Sequence, residues 1–378
     1  MSVKVICVAG ARPNFMKVAP LLSALSAQEF FDPKLVHTGQ HYDDLLSKIF
    51  FEDLNIPKPD RDLEVGSASH AVQTAEIMLR FERVLEEEQP QVVLVVGDVN
   101  STIACTLVAG KFHLAEPFET NKGFRTRPLL VHVEAGLRSF DREMPEELNR
   151  ILTDALSDLL YVSDPAGLIN LEKEGVESER VVFVGNVMID TLLAAKKRAM
   201  ESSILEDLSL EEKGFGLVTL HRPSNVDDPK MLRHLISVLS EVAQETPLVF
   251  PVHPRTRARI VSEKIHLDEK HWKLLAPIGY LDFLKLTATA KLVLTDSGGI
   301  QEETTVLGVP CITLRENTER PVTIEEGTNF LAGTNREKIL KGVRQAIDAP
   351  PQGRIPRFWD GKSAQRIANH LASMFPTS

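Results

Sequence analysis

The sequence predicts an α/β protein with two doubly wound parallel sheets that face each other across a cleft. Ten short runs of β-branched residues and leucine each end in a polar or glycine-bearing cluster, and periodic helical stretches lie between most of them. Continuous apolar runs of this kind are typical of strands that are buried on both faces. The chain has 378 residues, which is too long for one hydrophobic core and indicates two domains.

The predicted strands and helices alternate in chain order. We place the ten strands at residues 3–12, 34–41, 92–98, 129–136, 159–164, 181–186, 216–222, 248–254, 291–299 and 310–317. Helices are expected at residues 13–28, 67–89 and 146–160, and Pro20 should kink the first of them or mark where it settles. The tract at residues 115–128 is polar and indicates an exposed loop.

The predicted domains follow from this order of elements. The first five strands and their helices form one domain, residues 1–180, and the second domain covers residues 181–358. Prolines at residues 350, 351 and 356 then break the chain, and Asp360 suits the N-cap of a last helix within residues 359–378.

Composition and charge argue against several classes of protein. The net charge is −10 without a basic stripe, which argues against a nucleic-acid partner. No apolar stretch approaches the roughly 18–20 residues that span a bilayer, and no signal peptide precedes the first strand. We therefore expect no membrane partner and a cytoplasmic location. Cys7, Cys105 and Cys311 suit buried thiols in a reducing cytosol.

A glycine-rich turn in the second predicted domain is typical of a phosphate site. Ser297 follows a strand and suits a helix N-cap, while Gly298 and Gly299 let the backbone approach an anion at the helix N-terminus. Glu303, in the helix that follows, could accept hydrogen bonds from ribose hydroxyls, and Arg320 lies in a later Glu-Arg-Pro motif. The alternative is a capped turn with solvated glutamates.

The first predicted domain brings cations and acids to its strand ends. Arg12 and Lys17 follow a strand–glycine–helix turn and could hold a phosphate. Asp98 and Glu134 end strands, and Glu146 lies in the first turn of a helix. Carboxylates that converge on one cleft can divide the roles of acid and base between them. Taken singly, each could be a cap or a surface group.

Histidines and the glycine pattern bear on metals and cofactors. His221 and His253 end strands of the second domain and could donate to phosphate or to a sugar hydroxyl, or could be structural. Their spacing fits no zinc pattern, so we predict no metal. Gln40 and His41, with Arg138, are weaker candidates of the same kind. The GxGxxG fingerprint is missing, which argues against a nicotinamide cofactor.

Taken together, the motifs resemble those of one family. GARPNFMK, TGQH, VVGD, HVEAGLRSFDREMPEE, LHRPSN, PVHPRTR, LTDSGGIQEE and RENTERP, in this order, resemble the non-hydrolysing UDP-N-acetylglucosamine 2-epimerases from Val3 to about Ala372. The resemblance implies two Rossmann-like domains of the GT-B, or glycogen-phosphorylase, type, with the last helix packing back on the first domain. It also implies a homodimeric isomerase that needs no cofactor. Such an enzyme interconverts UDP-GlcNAc and UDP-ManNAc by eliminating UDP to give a 2-acetamidoglucal and adding UDP back.

The resemblance also implies roles for the candidate residues. Asp98, Glu134 and Glu146 match the acid and base carboxylates, and their order of action is open. Lys17 and His221 match groups near the diphosphate and the sugar. The UDP-binding set comprises Arg12, Ser297, Gly298, Gly299, Glu303 and Arg320. Some members of the family bind a second, regulatory UDP-GlcNAc at the positions of Gln40, His41 and His253.

Two departures from the best-known members concern the motifs and one loop, and the motifs leave the sugar open. GARPN and GDVNST are closer to relatives that act on modified sugars such as UDP-2,3-diacetamido uronic acids, and the loop at residues 115–128 is longer than expected. Two other functions remain alternatives: a GT-B glycosyltransferase, and a non-catalytic regulator that binds a nucleotide sugar.

Overall fold

The chain forms two compact units. The computed structural model describes residues 2–39, 53–54 and 56–376, and the side chain of Arg12 lies outside the described part. One unit comprises Met1–Thr191 and Arg357–Ser378, and the other comprises Leu192–Pro356. Each unit contains one large parallel sheet, so the prediction of two parallel α/β domains is confirmed.

The described strands fall into two large sheets and one hairpin. They are β1 Val3–Ala9, β2 Phe31–His37, β3 Arg61–Asp62, β4 Val92–Val96, β5 Phe118–Thr120, β6 Gly123–Arg125, β7 Leu129–Ala135, β8 Leu159–Val162, β9 Val181–Phe183, β10 Gly216–Thr219, β11 Leu248–Pro251, β12 Trp272–Leu275, β13 Leu292–Thr295, β14 Cys311–Thr313 and β15 Asn329–Leu331. The first sheet has the order β3-β2-β1-β4-β7-β8-β9, and the second has the order β12-β11-β10-β13-β14-β15.

Helices connect most of these strands. They are α1 Arg12–Ser26, α2 His70–Glu88, α3 Asn100–Ala109, α4 Pro145–Leu156, α5 Pro165–Lys173, α6 Val187–Met200, α7 Ile204–Asp207, α8 Pro223–Val226, α9 Pro229–Glu245, α10 Pro254–Ser262, α11 Tyr280–Thr289, α12 Gly298–Leu307, α13 Val322–Glu325, α14 Arg336–Asp348 and α15 Ser363–Ala372. A short 3-10 helix covers Ser178–Arg180.

Each sheet reverses its winding between two central strands. In the first unit β2 and β3 lie on one side of the β1–β4 pair and β7 to β9 on the other; in the second unit the reversal lies between β10 and β13. Open α/β sheets bind ligands beyond the carboxyl ends of their strands at such a point. The residues that follow these strands are Gly10 and Gly97 in the first unit, and Leu220 and Asp296 in the second.

The boundary between the units differs from the predicted one. The strand β9 pairs with β8 at the edge of the first sheet, and the first unit continues to Thr191, inside α6. The boundary predicted after residue 180 is therefore corrected. The sequence of a short apolar strand does not indicate which sheet it joins, because its sheet is determined by hydrogen bonds to a strand elsewhere in the sequence.

The helix α1 runs through Pro20 without ending there. Proline removes the hydrogen bond to the carbonyl four residues earlier, which here belongs to Met16. The hydroxyl of Thr191 donates to that Met16 carbonyl oxygen and replaces the missing helical bond. The face predicted for this helix, which includes Phe15, Val18 and Leu21, is buried in the core of the first unit.

The polar tract at residues 115–128 is a hairpin that contacts the end of the chain. The strands β5 and β6 pair antiparallel, and the turn residue Asn121 donates its side-chain amide to the carbonyl oxygens of Ser373 (2.8 Å) and Phe375 (3.1 Å). The helix α15 in turn packs against α1. The loop expected from composition therefore has a structural task, namely holding the C-terminal segment on the first unit.

Candidate active site

A buried ion pair lies at the switch point of the first sheet. The Lys17 ammonium group, from α1, contacts the carboxylate of Glu134 near the end of β7, and both side chains are almost fully buried. Gly97, which follows β4, adjoins the pair, because a side-chain carbon there would lie 3.0 Å from Lys17 Nζ and 3.4 Å from Glu134 Oε2. The structure thus brings together two of the predicted site residues.

The backbone at Glu134 is unusual for a residue with a side chain. Its φ angle is +74°, and the pairing of β7 with β8 shifts register between Val133 and Ala135. Such a bulge re-aims a side chain at the end of a strand, and a positive φ costs of order 1–3 kcal/mol. Strain of this kind clusters at functional sites, so the conformation supports a functional role for Glu134.

Asp98 is positioned by α4. Its Oδ2 lies 3.2 Å from Arg150 Nη1, its carbonyl accepts a hydrogen bond from Asn149 Nδ2 (2.9 Å), and a third of its side chain remains exposed. Arg150 also donates through Nε to Glu147 Oε2 (3.2 Å). The carboxylate of Asp98 is therefore both oriented and accessible.

Glu146 and Glu147 are neighbours with different surroundings. Glu147 is buried and accepts hydrogen bonds from the backbone N–H groups of Ser139 (2.9 Å) and Phe140 (2.8 Å). Glu146 is only half-buried, and it makes no hydrogen bond or ion pair to any residue that the structure describes. Of the two acids, Glu146 is thus the one left available for a substrate.

In the second unit, Asp296 organises the turn that carries His221. Its carboxylate accepts hydrogen bonds from the backbone N–H groups of His221 (3.1 Å) and Arg222 (3.0 Å) and from Asn225 Nδ2 (3.2 Å). The Nδ1 atom of His221 lies 3.1 Å from Asp296 Oδ1, and half of its side chain is exposed. Burial opposes ionisation of Asp296, but the hydrogen bond and charge of His221 lower the pKa of its carboxyl group. The ring of His221 is therefore oriented through Nδ1, while half of the side chain remains accessible to a ligand.

The predicted phosphate turn lies at the N-terminus of α12. Gly298 is the first residue of this helix and packs under Arg320, because a side-chain carbon there would lie 2.6 Å from Arg320 Nη1. Ser297 and Gly299 flank it and are half-buried. Arg320 is held by Glu302, whose Oε1 accepts from Nε at 2.6 Å, and by Glu319 at 3.4 Å. The structure therefore brings the predicted glycines and the predicted arginine together.

Glu303 is a buried acid one turn into α12. Tyr280 donates its hydroxyl proton to Glu303 Oε1 at 3.3 Å, and Oε2 has no hydrogen-bond partner among the residues that the structure describes. Burial raises the pKa of Glu303 to about 8; the hydrogen bond from Tyr280 opposes this shift, and the charge of Glu302 adds to it. At neutral pH the side chain is mainly a neutral carboxylic acid.

As the pH rises, the second unit of the Glu303→Gln variant should become increasingly stable relative to that of the wild type. The folded protein holds this proton up to about pH 8, whereas the unfolded chain releases it near the ordinary glutamate pKa of 4.5. The wild type therefore loses stability between these values, by up to about 1.4 kcal/mol per pH unit, and the amide does not. Trp272 reports on the second unit when Trp359, in the first, is replaced by phenylalanine.

The measurement is urea unfolding of Glu303→Gln at several pH values, followed by Trp272 fluorescence in the Trp359→Phe background. The exposed Glu325→Gln variant in the same unit is the control, and its curve should run parallel to that of the wild type. A constant gap between Glu303→Gln and wild type from pH 5 to pH 9 would contradict the raised pKa.

The remaining predicted residues are His253 and three positions that the structure does not describe in full. His253 is the exposed N-cap of α10, and its Nδ1 accepts a hydrogen bond from the Arg255 N–H group at 3.3 Å. Gln40, His41 and the side chain of Arg12 lie outside the described residues. Among the described residues, no group of three or more His, Cys, Asp or Glu could hold a metal ion.

Sequence reasoning missed several buried polar residues that support the site. His132, Asp154 and Asp296 are fully buried, as are Glu302 and Glu319. In β7, His132 is the one polar residue among the apolar residues that precede Glu134. Asp296 directly follows β13. Those positions were a usable signal, because a polar residue in an apolar strand needs a specific partner.

Comparisons with known proteins relate this chain to one family. The family model described as UDP-N-acetylglucosamine 2-epimerase matches residues 23–372. A UDP-N-acetylglucosamine 2-epimerase from Methanocaldococcus jannaschii is 39% identical over 97% of this chain and 98% of its own. A UDP-2,3-diacetamido-2,3-dideoxy-D-glucuronate 2-epimerase from Pseudomonas aeruginosa is 38% identical over 98% of this chain and 100% of its own.

A solved structure extends the agreement to the fold. The Methanocaldococcus jannaschii UDP-GlcNAc 2-epimerase, crystallised in complex with UDP-GlcNAc and UDP, superposes with a TM-score of 0.88 at 39% identity and covers 98% of this chain and 99% of its own. The family resemblance of the sequence motifs is thereby confirmed over nearly the whole chain. The chain belongs to the UDP-N-acetylglucosamine 2-epimerase family.

Proposed function

We propose that this protein is a non-hydrolysing UDP-GlcNAc 2-epimerase, which interconverts UDP-GlcNAc and UDP-ManNAc. The observation that carries the proposal is the buried Lys17–Glu134 pair at the switch point of the first sheet, with Asp98 on the adjoining turn. The anion-binding turn at Gly298, beside Arg320, supplies the second requirement of such a reaction. A binding protein does not need several acids near an anionic ligand.

The proposed reaction moves one proton and one UDP group. A base removes the C2 proton, the C1–O bond breaks with its electron pair leaving on UDP, and a 2-acetamidoglucal forms. Reprotonation of C2 on the opposite face and addition of UDP to C1 complete the epimerisation. We assign the acid and base roles to Asp98, Glu134 and Glu146, with their order open. All three are carboxylic acids, which act as general acids and bases in enzymes.

The remaining residues bind and orient in this proposal. Ser297, Gly298 and Gly299 offer the N-terminus of α12 to the diphosphate, and Arg320 adds a positive charge beside it. Glu303 accepts from ribose hydroxyls once it has lost its proton, so UDP affinity should rise with pH toward about 8. Lys17 and His221 contact the substrate near the diphosphate and the sugar.

The test is proton NMR of the purified protein with UDP-GlcNAc in deuterated water. UDP-ManNAc that carries deuterium at C2 is the expected product, formed without any acceptor and without net hydrolysis. Free ManNAc with UDP would instead assign a hydrolysing reaction. Turnover that requires an added acceptor would assign a glycosyltransferase. Binding of UDP-GlcNAc without turnover of either UDP-GlcNAc or the UDP-2,3-diacetamido uronic acid would assign a regulator.

A second substrate is favoured by one specific observation. The Pseudomonas aeruginosa relative named for a UDP-2,3-diacetamido uronate is 38% identical to this chain over 98% of it, almost the identity of the Methanocaldococcus jannaschii relative. The modified sugar is therefore assayed beside UDP-GlcNAc in the same deuterium experiment. A higher kcat/KM for the diacetamido uronic acid would move the substrate assignment and leave the reaction class unchanged.

We propose further that the protein is a homodimer and that α4 contributes to its interface. Leu148, Leu152 and Leu156 lie one helical turn apart on α4 and are 40%, 50% and 42% exposed in the single chain. Exposed apolar stripes of this kind mark interaction surfaces. On α2, which packs with α4 against α3, Val72 and Leu79 are exposed as well.

Replacing Leu152 by aspartate should convert the dimer to a monomer, because a charge placed in an apolar interface loses its hydration. Light scattering after size exclusion should give a mass near 42.0 kDa for the variant and twice that for the wild type. Val261→Asp, at an exposed apolar residue of the second unit, is the control and should stay dimeric. A monomeric wild type at micromolar concentration would contradict the proposal.

We also propose a cytoplasmic location without nucleic-acid or membrane partners. Cys7, Cys105 and Cys311 are all buried free thiols, which suits a reducing compartment. No helix within the described residues is long and apolar enough to cross a membrane. Fractionation of the source cells with an antibody to the protein tests the location.

A further inference from the structure

A chain of buried hydrogen bonds runs beneath the carboxylates of the first unit. His132, in the middle of β7, and Asp154, on α4, are 0% and 1% exposed. The Nδ1 atom of His132 lies 2.6 Å from Asp154 Oδ1, and its Nε2 atom lies 2.8 Å from the carbonyl oxygen of Gly97. The imidazole therefore joins the α4 helix to the turn that follows β4.

Asp154 extends the chain to the turn that follows β7. Its Oδ2 accepts hydrogen bonds from the backbone N–H group of Gly136 (3.0 Å) and from Arg138 Nη2 (2.8 Å). Arg138 is itself fixed by two hydrogen bonds to Glu174, of 2.8 Å and 2.7 Å. Burial opposes ionisation of Asp154, but His132 and Arg138 lower the pKa of its carboxyl group, so it stays an acceptor.

The two turns connected by these hydrogen bonds are those that carry the proposed acid and base residues. Gly97 immediately precedes Asp98, and Gly136 follows Glu134 by two positions. Both glycines have positive φ angles, of +66° and +80°, which side chains rarely adopt. At Gly136 a side-chain carbon would also lie 2.5 Å from the carbonyl oxygen of Gly167. A side chain at either glycine would strain its turn, and the hydrogen bonds of His132 and Asp154 connect the two turns.

We propose that His132 and Asp154 are positioning residues for the epimerase reaction, because they fix the Gly97 and Gly136 turns and thereby the separation of Asp98 and Glu134. The inference rests on the proposed function. Catalytic groups must be held within a fraction of an ångström of their productive geometry, and second-layer hydrogen bonds supply that precision. Neither residue touches the substrate in this proposal.

The test compares His132→Gln and Asp154→Asn with a matched control. Tyr161→Phe removes a hydrogen bond that a fully buried residue of the same sheet makes to the half-buried His370 Nδ1 (3.0 Å), and this bond does not touch either turn. We expect kcat to fall about 10- to 100-fold in both test variants, since a 1 Å misplacement can cost 100-fold. KM and the Kd for UDP should stay within about twofold of wild type, since UDP is bound by α12 and Arg320. In Tyr161→Phe, kcat should stay near wild type.

A second measurement does not depend on turnover. Hydrogen exchange followed by mass spectrometry should show faster exchange in peptides that cover residues 97–100 and 134–138 of His132→Gln, while peptides of the second unit are unchanged. If the wild type turns over neither UDP-sugar, the proposed function has failed, and the exchange data still decide whether the turns are tied. Unchanged kcat in His132→Gln, or exchange in both turns equal to that of Tyr161→Phe, would overturn the inference.

Discussion

Replacing Glu134 by glutamine is expected to lower kcat at least about 100-fold, the scale of a general acid or base. The amide keeps the size of the side chain and its position at the bulge of β7 but neither accepts nor releases a proton at working pH. UDP binding should change little, because the diphosphate clamp lies at α12 in the other unit. Steady-state kinetics with UDP-GlcNAc and calorimetry with UDP separate the two effects.

The Glu134→Gln variant needs controls for folding and for charge. Lys17 loses its buried partner, so circular dichroism must first show that the variant is folded. Glu82→Gln removes an exposed acid from the same unit and should keep wild-type turnover. Asp98→Asn and Glu146→Gln complete the series. Near-normal rates in all three site variants would refute the assignment of the acid and base roles.

Replacing Glu302 by alanine is expected to destabilise the second unit by about 3–5 kcal/mol, the range for a broken buried ion pair. Glu302 is 1% exposed, and its Oε1 accepts from Arg320 Nε at 2.6 Å. Alanine removes this 2.6 Å ion pair from the buried guanidinium of Arg320, whose contact with Glu319 is longer, at 3.4 Å. Because Arg320 belongs to the proposed clamp, affinity for UDP should fall as well.

The measurement is urea unfolding of the second unit, followed by Trp272 fluorescence in the Trp359→Phe background. The matched control is Glu241→Ala, which removes the partner of Arg336 from an exposed ion pair in the same unit. Exposed pairs contribute little, because water screens them, so this control should barely move the midpoint. Equal shifts for Glu302→Ala and Glu241→Ala would show that the Arg320 clamp is not held by its buried partner.

Local pattern predicted most of the strands and the chemistry at their ends. The runs before Gly10, Gly97 and Asp296 are central strands of their sheets, because a strand buried on both faces must be continuously apolar. The short edge strands β12 and β15 escaped notice. They are short, β12 carries a lysine and β15 begins with an asparagine, so their sequence lacks the long apolar run of a central strand.

The sequence by itself determined two parallel sheets, the turns at their strand ends and the identity of the acids, cations and glycines in those turns. These features depend on hydrophobic periodicity and on backbone shapes that few residue types accept, such as the positive φ of Gly97. Only the tertiary structure decided that β9 belongs to the first sheet and that Lys17 pairs with Glu134. It also decided that His132 and Asp154 tie two turns together. His132 and Asp154 are 22 residues apart and Lys17 and Glu134 are 117 apart, and the free energy of burying one polar group against another depends on distances that no local pattern encodes.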